Sequence, residues 1–309
     1  MSGGRIYVWR YALRSRAALN ARSARSEHAG ALVRIGDGFG CIHPWPELGD
    51  APLEQQLALL KNGGETLLIS AAKHCAQLDG AARREEASLF EAPVPESHWL
   101  VRPGDDPAFA KSDGFSLAKL KVTPDLASLR EEMNRWRAAG LGIRLDANES
   151  LGVGAFLAFW KELGPEERAA IDCVEDPEVY DEDGWWALRK EGVPIAVDRD
   201  CWTRAVPGDI VVMKPARPDW GSSPGMRCFV TSYMDHAVGQ LFAAATAASH
   251  AQGGESEEFL TCGLLTHRCF ENDPFFEQIR CDGPRLVPPP GTGLGFDDLL
   301  EKLPWKVLT

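Results

Sequence analysis

The sequence predicts an α/β protein built on a parallel βα barrel, with a smaller strand-and-helix region in front of it. Apolar strand-like runs alternate with amphipathic helical runs from "SLAKLKV" to "EFLTCGL". That alternation implies parallel strands and right-handed crossovers. Seven or so such strands suit a barrel better than an open sheet, and no glycine-rich nucleotide fingerprint follows the first strand.

The elements follow in order. "RIYVWRYAL" alternates as a strand, a polar segment covers 20–30, and "ALVRIGDGFGCI" turns at Gly36–Asp37–Gly38 as a hairpin. Residues 52–90 carry a helical pattern. The Pro-rich segment 91–107 marks a boundary. After it, "SLAKLKV" reads as the first barrel strand and "TPDLASLREEMNRWRAAG" as a helix with a Thr–Pro start and a Gly stop. "LGIRLDANE", "IDCVEDP", "PIAVDRD", "DIVVMKP", "CFVTSY" and "EFLTCGL" read as further strands. "GVGAFLAFWKEL", "DEDGWWALRKEG" and "HAVGQLFAAATAASHA" read as helices. The linker "PARPDWGSSPGM" is too rich in Pro and Gly for a full helix, and the link from "AVDRD" to "DIVV" is short. Loops or a single turn are expected on that side of the barrel.

Composition narrows the function. The chain has 309 residues, is 44% hydrophobic and carries a formal net charge of −12. This balance argues against nucleic acid or an anionic membrane surface as partner. No run is long and apolar enough to span a bilayer, and the opening residues lack the apolar core of a leader peptide, so a cytoplasmic protein is expected. The eight cysteines form no CxxC and no zinc-ligand spacing, which fits reduced, buried thiols. No HxH or HExxH occurs among the histidines.

Charged residues fall at the strand ends. Lys119 and Lys121 sit two apart and share a face of their strand. The next strands end in Asp146–Ala147–Asn148, Glu175–Asp176–Pro177, Asp198 and Lys214. In βα barrels the active site forms at the C-terminal strand ends. Three carboxylates gathered there repel one another unless a cation lies between them, and oxygen-only ligands suit Mg²⁺. Each acid taken alone reads equally as the N-cap of the next helix, and each lysine as a side chain reaching for the surface. Three acids in succession, bracketed by lysines, are harder to explain in that way.

The ordered set KxK, DAN, VEDP, an Asp after an apolar strand and a Lys in "KP" resembles the enolase superfamily, muconate-lactonizing subgroup, and within it the o-succinylbenzoate synthases of menaquinone biosynthesis. "GFGCIHPWPELGDAPLEQQLALL" is similar to that family's N-terminal capping domain, "TSYMDHAVGQ" to its seventh-strand segment and "LVPPPGTGLGFD" to its C-terminal return. The resemblance implies a modified (β/α)7β TIM-like barrel with an N-terminal α+β capping domain. Residues 1–98 would form the cap, 99–290 the barrel, and 291–309 a return segment packing toward the cap. It implies Asp146, Glu175 and Asp198 as ligands of Mg²⁺, with Mn²⁺ able to substitute. Lys121 would be the acid/base, and Lys119 would lie near the substrate carboxylate. Lys214 would stand on the opposite face, with Asn148 and Ser232 as substrate contacts.

The implied chemistry is proton abstraction α to a carboxylate, followed by loss of water. The partner would be a small-molecule carboxylate. Burial, the neighbouring Lys119 and the metal would lower the Lys121 pKa far enough for it to act as a base. Arg22 and Arg25, in the polar loop, would receive the succinyl carboxylate, or would be solvated loop arginines. Three features depart from the family pattern: Arg199 after Asp198, Asp235 where a Glu is usual, and the short connections around Lys214. A racemase or epimerase of N-acylamino acids or dipeptides is the alternative, and a non-catalytic metal- or ligand-binding barrel a further one.

Overall fold

The computed structural model describes residues 5–17, 19, 25–218, 226–253 and 259–309. The N-terminal region is an antiparallel sheet. Strand β1 (Ile6–Arg14) pairs along its whole length with β2 (Glu27–Ile35), from Ile6 opposite Ile35 to Arg14 opposite Glu27. The expected hairpin joins β2 to β3 (Gly38–Ile42), and Gly36 takes φ +62° at the turn, a conformation that glycine adopts without strain. Strand β2 starts at Glu27, so part of the segment expected to be loop belongs to the sheet.

Helices α1 (Leu53–Lys61) and α2 (Leu67–Arg84) follow this sheet. Thr66 caps α2, its hydroxyl accepting from Ile69 N–H at 3.2 Å. The helix ends at Arg84, short of the 90 expected, and Ser88 then bridges to Gly293. Backbone contact between β3 and α2 is close. A Cβ on Gly40 would stand 2.1 Å from the Ala72 carbonyl oxygen.

Seven parallel strands follow: β4 (Trp99–Leu100), β5 (Leu117–Lys121), β6 (Gly142–Asp146), β7 (Ile171–Glu175), β8 (Ile195–Val197), β9 (Ile210–Met213) and β10 (Arg227–Val230). Residues 259–263 close the ring between β10 and β4. On one side Leu260 N–H donates to Cys228 O (2.8 Å) and Gly263 N–H to Val230 O (2.9 Å). On the other, Cys262 N–H donates to Glu96 O and His98 N–H to Cys262 O, both at 2.8 Å. The first barrel strand is therefore β4, inside the Pro-rich segment read as a boundary, and the strand with the two lysines is the second.

The covering helices are α3 (Pro107–Ser112), α4 (Leu126–Ala138), α5 (Ala155–Glu162), α6 (Pro165–Ala169), α7 (Glu182–Lys190), α8 (Cys201–Arg204) and α9 (Ala237–Gln252). As expected from the short link, α8 is one turn. Among the described residues no helix lies between β9 and β10; residues 219–225 of that linker lie outside them. The hairpin β11 (Arg280–Asp282) and β12 (Arg285–Val287) and helix α10 (Asp297–Lys302) follow, and β13 (Lys306–Val307) pairs with β1. Among the described residues no helix is long and apolar enough to cross a membrane.

One core is formed between sheet, barrel and helices; Leu32, Ile42, Ile69, Trp136, Phe156 and Trp185 are all buried in it. The barrel lumen has its own cluster, made by Cys173, Ala196, Ile210, Val212 and Phe229. The N-terminal sheet meets the barrel through polar contacts as well. Trp45 Nε1–H donates to Tyr233 O (2.9 Å), and Tyr233 donates its hydroxyl to Asp50 (2.9 Å). The Tyr11 and His236 rings lie 4.6 Å apart.

Candidate active site

Strand register builds the site. Parallel pairing sets Lys121 beside Asp146 and Asp146 beside Glu175, so residues far apart in sequence reach one end of the barrel together. Asp198 and Lys214 follow β8 and β9 at the same end. A cavity of about 70 Å³ is lined by Lys119, Asp146, Asn148, Glu175, Asp198, Lys214 and Ser232, with Trp45 and Leu48 reaching in from the N-terminal region.

The charges pair off. Lys119 Nζ lies 2.7 Å from Glu175 Oε2 and 3.1 Å from Asp146 Oδ2. Lys214 Nζ donates to Asp198 Oδ2. Burial works against the Lys119 charge, but Asp146 and Glu175 outweigh it and its pKa is raised. Burial pushes Glu175 up further than Lys119 draws it back. Burial opposes ionisation of Asp198 too, but Lys214 dominates and its pKa is lowered.

Lys121 faces a second, larger cavity of about 590 Å³, which shares Leu19, Leu100 and Met234 with the first as a common wall. Its Nζ donates to the Leu19 carbonyl. Its pKa is lowered, chiefly by burial; Asp146 opposes the shift and Lys119 adds to it. The leading cause is thus desolvation, ahead of the neighbouring ammonium.

Backbone strain gathers at this end of the barrel. Asn148, Glu149, Asp176 and Met234 all take positive φ, between 41° and 55°. Asn148 Nδ2 donates to Asp146 Oδ1. Buried Asp176 accepts from Asp198 N–H at 3.0 Å, tying the end of β7 to that of β8. Arg199 is drawn to Glu149, with Nη1 3.8 Å from Oε2, and does not line the cavity.

The donor set fits a hard divalent cation. All the acids offer oxygen, and among the described residues Glu175 Oε1 and Asp198 Oδ1 are buried with no hydrogen-bond partner. In this conformation, among the described residues, no three His, Cys, Asp or Glu side chains converge as a metal shell; the carboxylates are drawn to the lysines instead.

Of the loop arginines, Arg25 pairs with Glu47 (2.6 Å) and lines neither cavity, and Arg22 lies outside the described residues. Ser232 is buried and shares a hydrogen bond with Thr266. Sequence reasoning passed over His98, Thr231 and Arg144. His98 and Thr231 line the smaller cavity, and Arg144 is fully buried in the lumen, its guanidinium 3.8 Å over the Phe229 ring. The alternation of Arg144 with Asp146 was a usable signal for that placement.

Known proteins resemble this chain in both sequence and fold. Residues 6–82 match the family model for the N-terminal domain of O-succinylbenzoate synthase. The o-succinylbenzoate synthase of Bdellovibrio bacteriovorus is 33% identical, over 96% of this chain and 97% of its own length. In fold, the dipeptide epimerase of Enterococcus faecalis V583, complexed with Mg and L-Leu-L-Tyr, superposes with a TM-score of 0.76 at 16% identity. That match covers 94% of this chain and 98% of the epimerase. A muconate lactonizing enzyme superposes at 0.69 with 16% identity, covering 97% and 98% of the two chains. With a curated relative matched over nearly the whole of both chains and a family model matched at the N-terminus, the chain belongs to the o-succinylbenzoate synthase family and is an enzyme of the carbon–oxygen lyase class.

Proposed function

We propose that this enzyme dehydrates a cyclohexadiene carboxylate to o-succinylbenzoate, a step of menaquinone biosynthesis in the cytoplasm, with Mg²⁺ or Mn²⁺ as cofactor. The observation that carries this reading is a desolvated lysine, Lys121, next to a cavity holding three carboxylates, in a chain of this family. Asp146, Glu175 and Asp198 would hold the cation, which when bound would draw developing negative charge onto the substrate carboxylate as a Lewis acid.

The chain's own groups do the rest. Lys121 is desolvated, which favours its neutral form, so its Nζ lone pair takes the proton α to the carboxylate. The electron pair of the broken C–H bond becomes the new C=C bond as the C–O bond breaks. The departing hydroxyl takes a proton from the same Nζ and leaves as water. Lys119 and Lys214 stay charged and stabilise the anionic oxygens in the cavity. The larger cavity beside Lys121 has room for the succinyl arm.

A dipeptide epimerase shares this fold, and lysines at the ends of both β5 and β9 would suit a two-base racemisation, so epimerisation is the alternative reading. Purified protein with Mg²⁺ is expected to consume the cyclohexadiene precursor, followed by ultraviolet loss of the diene, and to stop in excess EDTA. Absence of turnover with the metal present, or full turnover without it, contradicts the proposal.

A further inference from the structure

We infer that His98 and Thr231 are substrate-contacting residues, a neutral two-donor cradle on the floor of the smaller cavity that holds an anionic oxygen of the bound carboxylate. The inference deepens the dehydratase reading and rests on it.

The His98 ring has only one way to place its proton. Its Nδ1 lies 3.3 Å from Arg144 Nη1, and a guanidinium only donates, so Nδ1 must accept. The proton of the neutral ring is then on Nε2. Arg144 cannot turn away. It is bonded to Asp172 Oδ2 at 2.6 Å and to the Thr261 carbonyl at 2.9 Å, and it stacks on Phe229. Burial, with Arg144 and Lys119 nearby, keeps the ring neutral.

Among the described residues the ring's one hydrogen bond is that of Nδ1 to Arg144, which leaves Nε2–H free to face the cavity that buried His98 lines. Thr231 Oγ1 is buried, has no hydrogen-bond partner among the described residues and lines the same cavity. Gly263 lies between the two. A Cβ there would stand 2.7 Å from His98 Cε1 and 2.9 Å from Thr231 Cγ2, so only glycine leaves this corner open. The cavity's ammonium donors are engaged with carboxylates, whereas these two neutral donors are not. Uncharged N–H and O–H groups can face an anionic oxygen without competing for the acids of the site, which is how oxyanion-type donors work.

The test uses the full-length holoenzyme with Mg²⁺ and ¹⁵N-labelled histidine, with o-succinylbenzoate as the probe. The His98 signal is the one absent from His98→Gln. It is expected to report an Nε2–H tautomer whose proton moves downfield as o-succinylbenzoate binds. His98→Leu should lower kcat by about 10²–10³ while the rise in Tm on adding Mg²⁺ is kept. His98→Gln, which retains an N–H, should recover activity to within about tenfold of wild type, and Thr231→Val should show a smaller loss than His98→Leu. An Nδ1–H tautomer, a His98 signal indifferent to bound o-succinylbenzoate, or a His98→Leu variant within threefold of wild type overturns the inference. Loss of the Mg²⁺ response in His98→Leu also overturns it, because His98 would then act through the metal ligands. Wild-type protein that binds o-succinylbenzoate without dehydrating the precursor fails the reaction reading alone, and the nuclear magnetic resonance arm still decides this one.

Discussion

Replacing Asp235 with asparagine tests the electrostatics of the joint between the N-terminal sheet and the barrel. Asp235 is buried, its carboxylate oxygens make no close hydrogen bond among the described residues, and burial, opposed by the backbone N–H groups of Asp235 itself and Tyr233, pushes its pKa up to about 7. It faces Tyr11 on β1, Cys41 on β3 and Cys75 on α2, all of whose pKa values it helps to raise. A group with a raised folded pKa contributes its stability below the unfolded value, near 4, and loses it as pH rises to the folded value. Shifting an aspartate from near 4 to 7 corresponds to about 4 kcal/mol in all, of which about 2.5 kcal/mol falls between pH 5 and pH 8. Buried His43 and His236, each held down near 3, titrate in the opposite sense, but they do so in both proteins and cancel in the difference. At roughly 2–4 °C per kcal/mol, Tm of Asp235→Asn minus Tm of wild type should rise by about 5–10 °C from pH 5 to pH 8. The assay is thermal unfolding by circular dichroism at both pH values. Parallel pH profiles for the two proteins would refute the reasoning, since Asp235 would then be solvated or bonded.

Three further outcomes are expected. Lys121→Ala should lose on the order of 10²–10⁴ in kcat with KM little changed, read by steady-state kinetics; a near-normal kcat assigns the base elsewhere. Lys214→Arg keeps the charge but cannot give up its proton, so it should retain measurable dehydration and abolish any racemisation of N-succinylamino acids, followed by polarimetric circular dichroism. A wild type that racemises fast and dehydrates slowly, with both lost in Lys214→Arg, would favour the epimerase. Gly40→Ala drives a methyl group into the Ala72 carbonyl and should lower stability by about 1–3 kcal/mol, seen as a fall in Tm; an unchanged Tm would show that β3 and α2 can move apart.

The second to sixth barrel strands were legible because each ends an apolar run with a charge, as in "LAKLK" and "VVMK". Strand β4 was not. It is two residues long, and the prolines around it signal a loop. Helix α2 stops at Arg84 although the helical pattern runs on, because Ser88 is taken by Gly293, a tertiary partner that no local pattern reveals. The acids and lysines of the site stood out by type and position. Their partition into two cavities did not, since the wall between them includes Leu19, an ordinary leucine from the N-terminal region. Nor could alternation tell what His98 and Arg144 do. It shows that they face inward, while the tautomer of one depends on the guanidinium of the other.

The seam made by residues 259–263 has a consequence for biogenesis. The ring cannot shut until that segment has left the ribosome, because among the described residues it is what joins β10 to the start of β4. Until then the nascent sheet presents two unsatisfied edges, and exposed edges template pairing with other chains. Synthesis at 5–20 residues per second leaves β4 waiting on the order of ten seconds or more for its neighbour. Ribosome-bound chains arrested just before this segment should therefore occupy chaperones, and release them once a few dozen further residues emerge.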